Sequence, residues 1–161
     1  MNALVKPLWK DMRERRVKPL ELLTELGLSE PPVDPFFIAR ALGVTVECDD
    51  FPYEGALDST GASPVIHVRA SDITPRQRFT AAHELGHLIL HPLGEFFRDE
   101  KLGGRRGLRE VQANRYAAEL LMPALWVRER LWRGEKFDDL MATFGVSRSA
   151  LMARLEALAA F

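Results

Sequence analysis

A short stretch of this sequence has the residue types and spacing for metal-assisted hydrolysis. Residues 78–91 read RFTAAHELGHLILH and contain His-Glu-x-x-His, with His83 and His87 four positions apart. On a helix such residues sit about one turn apart on one face, so the two imidazoles can share one metal ion. Neutral imidazoles bind Zn²⁺ and leave it net positive, so a water on the ion loses its proton near neutral pH. Glu84 follows the first histidine directly, placed to take that proton and pass it to a leaving amine. Two histidines do not complete such a site. A third protein ligand is needed, with a fourth position left open.

The best third ligand lies in residues 109–123, which also read as helix. Glu110, Asn114, Ala117 and Leu121 share one face of it. Asn114, one turn after Glu110, is placed to hydrogen-bond a ligand and fix its orientation. Glu119 competes for the role, but it shares the opposite side with Gln112 and Arg115, where solvated groups are expected. Glu110 is therefore the choice. His91 faces the same way as His83 yet stands about 12 Å further along an unbroken helix, too far to share the ion. It is expected to line the cleft or cap the helix end.

These groups need a scaffold. Leu85, Leu88, Ile89, Ala81 and Ala82 oppose the histidine face and would pack it down. Thr74-Pro75-Arg76-Gln77 has capping-box spacing at the helix start. Residues 44–48, 55–58 and 64–69 alternate like strands, predicting a small antiparallel sheet whose edge could hold an extended peptide. His67 and Tyr53, from this region, join His91 as candidate cleft residues and oxyanion donors. Asp34 caps a helix that Gly43 ends. The glycine-rich connection over residues 92–108 is a candidate lid. Residues 123–133, 136–144 and 148–159 read as helices, and Phe144-Gly145-Val146-Ser147 resembles a helix-turn-helix corner. Residues 134–161 hold three basic and four acidic side chains, net −1, a poor phosphate surface; packing, not direct DNA binding, is the expectation.

RFTAAHELGHLILH followed by EVQANRYAAELLMP resembles the ImmA/IrrE family of metallopeptidases. PPVDPFFIARALGV upstream and LMATFGVSRSALMARL downstream are similar to the same family's flanking segments, so the resemblance spans roughly residues 31–158. It implies a thermolysin-like site with Zn²⁺ on His83, His87 and Glu110 and with Glu84 as general base; Mn²⁺ is the alternative metal. It also implies a protein substrate, because family members with assigned roles cut helix-turn-helix repressors and release stress-response or mobile-element genes.

The chain has 161 residues, 47% hydrophobic and 28% charged, which suits a compact fold with a sizeable core. Its formal net charge of −1 supplies no bulk attraction to nucleic acid or membrane. Cys48 is the sole cysteine, so no internal disulfide forms, which favours a reducing compartment. No signal-peptide core or membrane-spanning run is visible, and a cytoplasmic location is expected. The expected fold is α+β: an N-terminal helical extension (1–30), a zincin-like core (31–122) and a helical, helix-turn-helix-like C-terminal subdomain (123–161). The leading function is a zinc endopeptidase. Its rivals are a DNA-binding regulator with a structural or sensory metal, and a toxin–antitoxin-like partner-binding module. The intact Glu84 argues against the second rival, which needs no general base beside a metal.

Overall fold

The computed structural model describes residues 6–94, 96–98 and 104–160, without the side chains of 96–98 and 104–106. The first helical stretch breaks as its proline demands, into α1 (Leu8–Glu14) and α2 (Pro19–Glu25), with Arg16 at φ 46 between them. Asp34 then accepts from the backbone N–H groups of Phe36 and Phe37 and starts α3 (Pro35–Ala41). Such a cap stabilises by about 1 kcal/mol. Gly43, at φ 82, turns the chain out of this helix.

The sheet that follows is mixed, correcting the antiparallel expectation. Strands β1 (Thr45–Asp49), β2 (Gly55–Asp58), β3 (Val65–Arg69) and β4 (Phe96–Arg98) lie in the order β1-β3-β2-β4. β2 pairs antiparallel with β3 and β4, but β1 pairs parallel with β3. The cause is the connection between β1 and β2. It crosses the end of β3, where Arg69 N–H donates to Glu54 O and Ala70 N–H donates to Asp49 O, so the two strands flank β3 and do not form a hairpin. β4 falls where only a loop was expected. Of the candidate lid over residues 92–108, β4 takes up 96–98 and the next helix, which begins at Gly104, takes up 104–108; residues 95 and 99–103 lie outside the described residues.

Ile66 and Val68 of β3 are buried towards α4 (Thr74–Leu90), the metal-motif helix. The expected capping box does not form. Thr74 already lies within the helix, Ile73 precedes it without a side-chain cap, and Gln77 donates its amide to the carbonyls of Arg69 and Ala70. Residues 80–89 of α4 are buried all round, because α1, α3, the sheet and α5 (Gly104–Leu121) enclose them. α5 is its most extensive partner.

Long-range hydrogen bonds from three side chains tie segments on either side to this pair. Arg13 of α1 donates to the carbonyls of Leu88 and His91 at the C-terminal end of α4. Tyr116 of α5 donates its hydroxyl to Val17 O at 2.8 Å. Arg78 of α4 donates to the carbonyls of Val33, Phe144 and Gly145. The C-terminal helices α6 (Ala124–Trp132), α7 (Phe137–Phe144) and α8 (Arg148–Ala159) match the expected spans. Gly145 sits at φ 64 between the last two, and Ser147 caps α8 by accepting from Ala150 N–H.

Candidate metal centre

His83 and His87 share one face of α4, and α5 brings Glu110 across to them. His83 Nε2 lies 3.1 Å from His87 Nε2. Glu110 Oε2 lies 3.0 Å from His83 Nε2, and its Oε1 lies 2.9 Å from His87 Nε2. A four-coordinate ion with bonds of about 2.0–2.1 Å holds its donor atoms roughly 3.3 Å apart, so the spacings among the three side chains suit one shared ion.

The hydrogen bonds behind the cluster sharpen this fit. His83 Nδ1 lies 2.7 Å from Asn114 Oδ1. With its hydrogen donated there, His83 keeps its lone pair on Nε2. Lone pairs of His83 and Glu110 then face each other across 3.0 Å, an arrangement that a cation stabilises. Burial pushes the Glu110 carboxyl up, but the facing nitrogens of His83 and His87, where a hydrogen or a cation can sit, outweigh it and hold the group at about 2. Glu110 is therefore an anion at neutral pH, as a ligand must be.

Glu84 is fully buried on α4 beside His83. His91 is also buried, 4% exposed, and lies against His87. Burial chiefly pushes its imidazole down to about 4, partly offset by a hydrogen bond to Gln112. Gln112 is exposed, as its side of α5 predicts, and its amide oxygen also meets His91 Nε2 at 2.8 Å. The helical periodicity of α5 alone could not reveal this, since the partner lies just past the end of α4. His67 and Tyr53 stay apart from the cluster. Tyr53 Oη lies 3.4 Å from His67 Nδ1, and Phe51 stacks on Tyr53 at 5.4 Å between ring centroids. Alternation along β3 puts His67 on the sheet face opposite Ile66 and Val68.

Beside the cluster opens a cavity of about 610 Å³ between α4, α5 and α8. His83, Glu110 and Asn114 line one end, and Ala150, Ala153 and Ala157 of α8 line its wall. The short side chains of α8 leave that space open. Arg115, one residue beyond Asn114, also faces it.

Residues 39–156 match the Peptidase_M78 family, the IrrE N-terminal-like domain. The chain belongs to this family. The match runs from within α3 to within α8 and takes in every residue of the cluster, in agreement with the resemblance seen in the motifs. Among the described residues, His83, His87 and Glu110 form a group that can hold a metal ion. Among solved structures, the chain is similar to a Mycobacterium tuberculosis transcriptional regulator, with a TM-score of 0.61 and 19% identity. The alignment covers 94% of this chain and 52% of that one, so the chain spans about half its length; the likeness is one of fold. A comparison with curated proteins gives no significant match. Among the described residues, no helix is long and apolar enough to cross a membrane.

Proposed function

We propose that this Peptidase_M78 member is a zinc-dependent endopeptidase with a regulatory role, cutting a helix-turn-helix repressor in the cytoplasm. The observation that carries the reading is the convergence of His83 Nε2, His87 Nε2 and Glu110 beside a cavity that His83 and Glu110 help to line. Zn²⁺ bound there would act as a Lewis acid on the scissile carbonyl and would acidify a water, with Mn²⁺ as the alternative. Glu84 accepts the water's proton and returns it to the leaving amine. Asn114 holds the His83 ring in its ligating orientation. The peptide lies extended in the cavity, against Phe79 and Thr80 of α4 and the alanine wall of α8.

The decisive experiment incubates the protein with helix-turn-helix repressors encoded nearby and, separately, with casein, and maps fragments by mass spectrometry. Repressor cleavage at one site, stopped by a chelator and restored by zinc, is the expected result. Regulatory recognition uses contacts beyond the scissile bond, so casein should be a poor substrate. Efficient many-site digestion of casein with the repressors intact would reject the regulatory reading and leave a general peptidase.

One observation favours the rival DNA-binding regulator. The α7–α8 corner does form, with Gly145 at φ 64 and Ser147 as cap. Against it, α8 gives much of its length to the cavity wall, and the segment's net charge of −1 offers phosphates little.

A further inference from the structure

A line of hydrogen bonds leads from His87 through α4 to the exposed side of α5. His87 Nδ1 lies 2.7 Å from His91 Nδ1, and His91 Nε2 lies 2.8 Å from Gln112 Oε1. The two histidines are 1% and 4% exposed. A neutral imidazole has one N–H and one lone pair, and an amide oxygen only accepts. Gln112 Oε1 therefore takes the hydrogen of His91 Nε2, which leaves the lone pair of His91 on Nδ1. His87 Nδ1 must then donate into that lone pair. Its own lone pair is left on Nε2, the atom that lies 2.9 Å from Glu110 Oε1.

The direction of this line matters. With the Gln112 amide reversed, both imidazole hydrogens would shift, and His87 Nε2 would point an N–H at Glu110. That arrangement makes a salt-bridge partner and no metal ligand. From this geometry we infer that His91, oriented by Gln112, is a positioning residue that fixes the tautomer and ring orientation of His87 for metal binding. The inference rests on reading His83, His87 and Glu110 as the metal centre. It makes the two ligand histidines unlike in their support. His83 leans directly on Asn114, whereas His87 is held through a second buried imidazole just past the end of its own helix.

The test uses the full chain and two readouts. One is zinc affinity, by competition with a chromophoric chelator. The other is the tautomer of His87 in the metal-free protein, from long-range ¹H–¹⁵N correlation. His91→Leu, which removes the acceptor, should weaken zinc binding by roughly 10–100-fold and leave His87 in mixed tautomers. His91→Asn puts an acceptor near the place of Nδ1 and should largely restore both. His91→Gln puts it near the place of Nε2 and should not. Gln112→Glu, acceptor-only, should hold affinity at or above wild type. Wild-type affinity and tautomer in folded His91→Leu would overturn the inference. Should His91→Leu fail to fold, equal affinities of the Asn and Gln variants would overturn it. A wild-type chain that binds no zinc would defeat the metal reading instead, and a metal-free His87 carrying its hydrogen on Nε2 would separately defeat the role of His91.

Discussion

Gly86 stands directly against Ala113. A Cβ at position 86 would lie 3.1 Å from the Ala113 carbonyl oxygen and 3.2 Å from its Cα, with Tyr116 Cβ at 3.0 Å. The glycine between Leu85 and His87 thus sets how closely α4 approaches α5, and with it the reach of Glu110. Gly86→Ala should cost about 1–3 kcal/mol, as overpacking does against backbone that cannot yield. It should also weaken zinc binding, because the helix that carries Glu110 moves off. Chemical denaturation and chelator competition on the variant measure both effects. Wild-type values in both would show that the close approach has no bearing on the site.

Zinc content should separate ligands from neighbours. Alanine at His83, His87 or Glu110 removes a donor atom, and each variant should lose most of its zinc on purification. His91→Ala removes no donor and should retain zinc, though less tightly. Metal analysis of the four proteins decides the matter. Full retention in Glu110→Ala would transfer the third position to another residue.

Glu84→Gln keeps the size and hydrogen bonding of the side chain but cannot take a proton at neutral pH. The variant should fold, hold zinc and lose at least roughly 100-fold in cleavage rate, the lower end of what a positioned base contributes. Turnover like the wild type would mean that a different group activates the water.

A DNA-binding role makes a different demand. Specific binding would be tight at physiological salt and would fall steeply as salt rises. We expect only weak retention of DNA by the isolated protein. Tight, sequence-selective retention of genomic fragments, abolished by Arg148→Ala, would reverse the ranking of the two functions.

The site was legible in the sequence wherever its logic is local. His83 and His87 are joined by helical periodicity, and Glu110 and Asn114 by one turn of the next helix, so their types and spacing carried the pattern. The caps at Asp34 and Ser147 were equally readable, because a cap acts within three residues. What escaped depends on partners distant in sequence. The parallel pairing of β1 with β3 follows from where the connection at residues 50–54 crosses, which the alternation of either strand does not encode. Thr74 has capping-box spacing yet lies inside its helix, since Gln77 is drawn to the carbonyls of Arg69 and Ala70. Gln112 sits among residues that periodicity sends to solvent, and only the placement of His91 at the end of the facing helix gives its amide a target.

The Arg78 guanidinium has a bearing on how this protein can be handled in the laboratory. It is half-buried on the metal-motif helix and spends its donors on three carbonyls at positions 33, 144 and 145, drawn from both sides of that helix. A fragment trimmed before residue 144 would strip two of those acceptors from a cation that has little water to replace them. Grafting the last two helices onto another protein as a portable reading head would tear out the same fastening. Shortened or chimeric versions are thus poor vehicles for testing activity, and a silent fragment says nothing about the chemistry of the intact chain.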